Sequence, residues 1–287
     1  MITKEEERYI LDRAYVPEHS VGFMARLSGG DPCIIEDYLC LRRENWIIVV
    51  GYPLKKSFSA EDLETLIARI KGEFKPQRLS LMAPRLPLSF TESCLELEED
   101  DYFTLDIKNI RMNNRLRRVI ERAKERLTVE RSRDFTKAHR DIIGEFIERV
   151  DLRPRIRNLF LMSQNCTGDD AHSTILNARD KKGNLTAFYL VDLAAKAFST
   201  YVIGCHSKKN YTAGASDLLM SEMIDISREY DKDYIHLGIG VNKGIRQFKK
   251  KWGGIPTLRY EMGELVVEKP SLRGAIRDIT RLVKAVK

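Results

Sequence analysis

No apolar run in the chain is long enough to cross a bilayer. The longest candidates, "WIIVVG" and "FYLVDLAAKAF", are strand-sized, against the ~20 residues that a spanning helix needs. The opening "MITKEEERYILDR" is charged where a secretion signal is hydrophobic. Cysteine is sparse: Cys33, Cys40, Cys94, Cys166 and Cys205 are odd in number and widely spaced, with no CxxC. That pattern excludes a disulfide framework and gives a zinc site no spacing to build on. Low-complexity segments are absent too. Together these absences predict a cytoplasmic protein with reduced thiols and no metal.

What is present describes a globular chain. Its 287 residues are 43% hydrophobic and 32% charged, enough for one large domain or two of ordinary size. A net charge of +7 and a pI near 9.1 favour anionic partners such as a CoA phosphate, RNA or a membrane surface. An ordinary basic surface is the plainer reading of the same numbers.

Residues 34–52 read as two strands joined at the polar turn Arg42-Arg43-Glu44-Asn45. Ser59 then caps a helix whose Leu63, Leu66, Ile67 and Ile70 recur at helical spacing, and "RLSLMAP" returns to an extended segment. The module is β-β-α-β. Residues 92–106 next carry seven acids and no base, whereas 107–133 carry ten Lys or Arg against three Glu. This reversal places a domain junction between 1–106 and 107–287. Met112, Leu116, Val119, Ile120, Ala123 and Leu127 form one apolar helical stripe. Arg115, Arg117, Arg118 and Arg122 cover the other faces, as an RNA- or phosphate-binding surface or as a solvated one.

The second half reads as strand, two helices, three strands, helix, strand, helix, then a hairpin candidate "LRYEMGELVVEK" and a final helix from Ser271. Such an order predicts a mixed sheet of the α/β (α+β) class. The two halves are loosely alike in pattern.

Residues 199–254 carry a resemblance, within a match that spans roughly 107–260. Asn242, Gly244, Ile245, Phe248, Lys249, Lys251, Trp252, Gly253 and Gly254 resemble the N-x-G-I-x-x-F-K-x-K-[FW]-G-G motif of the FemAB-like branch of GNAT-fold acyltransferases. The resemblance implies two GNAT-like mixed-sheet halves, the first degenerate and the C-terminal one more complete. It also implies an acyl donor, acetyl-CoA or another acyl-CoA, in the V between two splayed parallel strands, "FSTYVIG" and "YIHLG". A helix N-terminus suits a pyrophosphate, and the next helix starts near "YTAGASDLL". Donor-binding candidates are therefore Val202, Ile203, Lys208, Lys209, Ala213, Gly214, Ala215, Ser216 and Asn242. The family's phosphate loop, Arg/Gln-x-x-Gly-x-Gly/Ala, is altered here, since Tyr211 replaces its first residue. The helical Tyr that protonates the leaving thiolate in many GNAT enzymes corresponds to Phe248. Tyr201, Cys205 and Tyr211 are substitutes by type, and Asp192, His206 and Glu222 are candidate bases.

Three other patterns compete with this one. Gly238, Gly240 and Gly244 with Glu261 imitate a dinucleotide fingerprint, but only 43 residues follow Gly244. Cys205 and His206 as a thiol dyad fail in a strand, where successive side chains point apart. Asn242 as a helix cap, with Ile245, Phe248 and Trp252 in the core, makes much of the motif architectural. The expected function is N-acyl transfer from acyl-CoA to an amine. The alternatives are an aminoacyl-tRNA donor, as FemAB-type enzymes use, a lysine-transferring enzyme acting at membrane lipid, or an inactive binding module with a basic surface.

Overall fold

The computed structural model describes residues 2–165 and 172–266. Its elements follow local sequence. Helix α1 (Lys4–Arg13) starts at a Thr3–Glu6 capping box, and α2 (Val21–Ser28) stops at Gly29, whose φ of 65° suits glycine. The stretch read as one strand before Arg42 is two, β1 (Asp31–Ile35) and β2 (Tyr38–Arg43), because Glu36 takes φ 55° and turns the chain. β3 (Trp46–Val50) follows. In α3 (Ala60–Phe74) Ser59 caps as expected, and Leu63, Leu66, Ile67 and Ile70 are buried. β4 (Arg78–Ala83) runs parallel to β3, and α4 (Leu88–Thr91) is a single turn.

The acidic run becomes β5 (Glu96–Asp106). Then come α5 (Asn114–Lys124), β6 (Leu127–Ser132), α6 (Lys137–Arg149) and α7 (Pro154–Met162). β7 (Ser173–Asp180), β8 (Leu185–Asp192) and β9 (Phe198–His206) form an antiparallel meander. Helix α8 (Ala215–Glu229), β10 (Tyr234–Ile239), α9 (Lys243–Lys251) and β11 (Ile255–Val266) complete the described chain.

All eleven described strands join one mixed sheet, in the order β1-β2-β3-β4-β11-β5-β10-β9-β8-β7-β6. The strand order interleaves early and late segments: β11 lies between β4 and β5, and β5 pairs with β10. One face of the later strands packs on α5 and α8, through Leu116, Ile120, Leu218 and Met223 among others. The opposite face packs on α6 and α7, joined by Phe23 of α2.

The hairpin candidate is a single twelve-residue strand, β11, without a turn. Gly263 sits in it not to bend the chain but to admit α4: an added Cβ would lie 2.9 Å from the Phe90 ring. The helix expected from Ser271 lies outside the described residues. At the end of α9, Gly253 takes φ 91°, and a Cβ on Gly254 would lie 2.9 Å from the Lys249 carbonyl oxygen and 2.7 Å from Leu237 Cδ1. The Trp-Gly-Gly stop is thus dictated by backbone shape and by close approach. Gly254→Ala is expected to lower stability in urea denaturation by about 1–3 kcal/mol, as overpacking against backbone does.

Candidate functional site

β9 and β10 are hydrogen-bonded neighbours for only three residue pairs, ending at His236 with Thr200. Both strands then carry an irregularity. On β9, Leu190 pairs with Ile203 but Val191 with Tyr201, so Val202 is an extra residue, a β-bulge. On β10 the register with β5 shifts between His236 and Gly238, which takes φ 70°. The strands therefore part, and their carboxyl ends border a V.

A cavity of about 680 Å³ runs through this V. Tyr201, Ser216, Met220 and Phe248 line it on the α8 side; Ile156 and Phe160 line it on the α7 side. On the α7 side it extends over the earlier strands as far as Glu18, Tyr102 and Tyr260.

The divergence of β10 has an electrostatic cause. Asp100 of β5 is 2% exposed and accepts hydrogen bonds from Gly240 N (3.0 Å), Val241 N (2.9 Å) and Arg246 Nη2 (2.7 Å). Arg153 lies 3.6 Å from its other oxygen, and 3.4 Å from Glu98. A buried carboxylate needs such partners, and meeting them draws the end of β10 toward β5. Sequence composition marks the acidic run only as one side of a domain junction. Alternation along β5 turns Glu98, Asp100 and Tyr102 to one face, while Glu99 and Asp101 pair with Arg259.

Asp100 also fixes α9, and α9 buries Lys249. The residue is 3% exposed, and its ammonium donates to the Ile239 carbonyl at 2.5 Å and lies 5.5 Å from the Phe103 ring centroid. Burial first, then repulsion from Arg246, pushes its pKa down to about 7 against the attraction of Asp100. Lys249 lines the cavity. In the sequence it reads as one of three consecutive lysines. Its spacing of four from Ile245 and three from Trp252, the helix's apolar face, is the signal that could have set it apart. Beside it His236 is fully buried, and its pKa is pushed down to about 3, chiefly by burial. The imidazole is neutral through the ordinary pH range.

The other candidates scatter. Tyr201 lies in the V, edge-on to Tyr189 (4.8 Å between ring centroids), and its hydroxyl hangs over Gly204, where any Cβ would collide with it. Burial raises its pKa well above the usual phenol range. Cys205 is buried on the α6–α7 side, with its thiol pKa raised by burial, so it does not share a face with Tyr201. Tyr211 is 64% exposed and stands edge-on to His206. Asp192 is buried and lines the cavity. Glu222 lies away from the V, bridged to Arg131 at 2.8 Å. Val202, Ile203 and Ser216 line the cavity, whereas the side chain of Asn242 is engaged in capping α9, accepting from Ile245 N at 3.0 Å.

The start of α8 has the left-handed Gly214 as N-cap, with φ 85°. Lys208, Lys209 and Ala213 are exposed before it, and Ala215 is buried. Carboxylates have reached this corner already. Glu145 accepts from Lys208 N (2.6 Å) and from the Ser207 hydroxyl. Asp217, in the first turn of α8, is held by Trp252 Nε1 (3.1 Å) and Lys251 (2.5 Å). Helix α5 packs beside it, Val119 and Ala123 lying 3.1–3.2 Å from where a Cβ on Gly214 would be. Its Arg115, Arg117, Arg118, Arg122 and Lys124 are exposed and make no ion pair among the described residues.

No family model matches the chain, and no curated protein matches it. Solved structures do. The C-terminal domain of a putative lysylphosphatidylglycerol synthetase from Agrobacterium fabrum is 16% identical, with TM-score 0.59 over 90% of each chain. FemX is 12% identical, with TM-score 0.58 over 91% of this chain and 96% of its own. A tandem GNAT protein from the clavulanic acid biosynthesis pathway is 9% identical, with TM-score 0.51 over 94% and 97%. The fold is GNAT-like. Among the described residues no group of His, Cys, Asp or Glu could hold a metal, and no helix is long and apolar enough to cross a membrane.

Lys249 makes the site visible to pH. Its folded pKa, about 7, lies below the unfolded value of about 10.4. The unfolded chain therefore binds the extra proton between those limits, and this lysine's burial penalty shrinks as pH rises from 7 toward 10. Lys249→Met is expected to gain stability over the wild type at pH 7, by on the order of 2 kcal/mol, and the gain is expected to vanish toward pH 10. Urea midpoints across that range measure it.

Proposed function

We propose that the chain is an N-acyltransferase. An activated acyl group lies in the V, and an amine reaches its carbonyl carbon from the α7 side of the sheet. The observation that carries this reading is the parting of β9 from β10 after three residue pairs, with a cavity running through the gap. The reaction forms a C–N bond and breaks the bond from the acyl carbon to its leaving oxygen or sulfur. The attacking amine must lose a proton, and the leaving group must gain one. Lys249, poised near pH 7, suits the first task in its neutral form. Tyr201, held protonated by burial, suits the second.

Two donors fit the chemistry, and the surroundings of α8 favour an aminoacyl ester of tRNA. The carboxylates of Glu145 and Asp217 stand where a pyrophosphate would approach the helix start, and like charges repel. The unpaired cations of α5 are beside it, a surface suited to a phosphate backbone. FemX and a lysylphosphatidylglycerol synthetase domain share the fold over nine-tenths of the chain, and the latter's name describes lysyl transfer. Acyl-CoA is the second reading. The bulged end of β9 leaves backbone groups beyond Thr200 without a β10 partner, and an amide-bearing arm such as pantetheine could pair with them.

Filter binding with aminoacylated tRNA, set beside thermal denaturation with acetyl-CoA and longer acyl-CoAs, decides between them. The expected outcome is salt-dependent tRNA retention that falls at least tenfold in Arg117→Glu/Arg118→Glu, with no shift in Tm at millimolar CoA ester. A CoA-dependent rise in Tm without tRNA retention would favour the second reading. The absence of both responses would overturn the transferase reading.

For the wild type under single turnover, the transfer rate is expected to rise with pH through about 7, as Lys249 loses its proton. Tyr201→Phe is expected to slow transfer by about 10²-fold or more without shifting that pH midpoint.

A further inference from the structure

The arm of the cavity that reaches Glu18 has a composition the donor does not explain. Its walls are apolar, from Phe23, Met24 and Leu27 of α2 and from Ile156, Leu159 and Phe160 of α7. Set in them is an acid, Glu18, which is half-buried. The carboxylate of Glu18 accepts from the Tyr102 hydroxyl at 2.6 Å and makes no ion pair among the described residues. Arg155 is close enough to act on Glu18 through charge, but it is also drawn elsewhere, within 3.0 Å of Met82 Sδ and 4.0 Å of Glu98. Its Nη1 is buried with no hydrogen-bond partner among the described residues, while the other cations of the wall are occupied. Arg78 is bridged to Glu264 at 2.7 Å, and Lys249 is given to the Ile239 carbonyl. Three neutral hydroxyls of buried side chains, Ser20, Thr200 and Tyr260, face the same cavity with no hydrogen-bond partner among the described residues.

A carboxylate in apolar surroundings that has a phenol and its own backbone N–H as donors, and no ion pair among the described residues, is short of positive charge. Its burial raises its pKa accordingly. The position matters as much as the charge. Tyr102, the residue that holds Glu18, stands edge-on to His236 at 4.9 Å between ring centroids, and His236 is the last β10 residue paired with β9. A group bound at Glu18 is therefore one aromatic side chain away from the apex of the V.

We propose that this arm binds an amphiphilic primary amine, with its ammonium on Glu18 and its apolar body between α2 and α7. As the acceptor of the proposed transfer, it gives that reading a substrate class. The site itself is tested without any donor. Glu18 would take the ammonium proton as the amine turns toward the V, leaving a neutral nucleophile and a protonated carboxyl held by Tyr102. Proton and charge balance within the pair.

Isothermal titration of the full chain with butylamine, hexylamine and octylamine, and with octanol and octanoate as controls, tests the proposal. Affinity for the amines is expected to rise about fourfold per added methylene, as burial of each CH₂ predicts. Glu18→Gln, which keeps an acceptor for Tyr102, is expected to lose at least about tenfold in octylamine affinity and to bind octanol unchanged, which certifies the folded arm. Octanoate binding as tightly as octylamine, or octylamine indifferent to Glu18→Gln, would overturn the proposal. These outcomes are independent of donor binding. Amine binding without transfer would refute the reaction and leave this site, whereas tRNA or CoA binding without amine binding would refute this site alone.

Discussion

One buried carboxylate shapes the centre of this molecule. Asp100 cannot be left unpartnered in the sheet interior, and three of its partners, Gly240, Val241 and Arg246, belong to the loop and helix that follow β10. Meeting its hydrogen-bonding demand turns the end of β10 away from β9 and seats α9, and α9 in turn buries Lys249 at the cleft. The opening between the strands, the placement of the lysine and its lowered pKa are thus one arrangement. Removing one partner from such a buried network typically costs 3–5 kcal/mol, so the cleft and the stability of the sheet cannot vary independently.

Much of this architecture was legible in the sequence. Hydrophobic spacing located α3, α5, α6 and α8, and the motif ending in Gly253 and Gly254 located β10, α9 and the stop after it. The V was expected between the correct strands. Less legible were features set by partners distant in sequence. β5 carries too many acids to read as a strand, because its charges are matched by Arg153, Arg155, Arg246 and Arg259 from elsewhere in the chain. Gly263 suggests a turn until α4 is seen pressed against it. The hairpin turn at Glu36 and Asp37 has none of the usual glycine or asparagine.

The candidate site was half legible, for a similar reason. Residue type nominated Tyr201, Cys205 and Tyr211 together, yet the bulge at Val202 and the alternation of β9 put the first two on opposite faces, and Tyr211 lies outside. Lys249 was hidden among three lysines. Side-chain type names candidates, but burial sorts them, and burial depends on the whole sheet.

The placement of β11 has a consequence for how the chain is made. β4 is flanked in the sheet by β3 and β11, and the Ser80 hydroxyl donates to Glu264 across 184 residues of sequence. During synthesis, β4 therefore emerges with one rim of its backbone bare and stays so until β11 has been translated. Contacts of such long range close late and slowly, and an unpaired strand rim invites pairing with neighbouring nascent chains. The two halves of the sheet are thus obliged to mature together, and β11, made long after β4, is the strand that seals the first half.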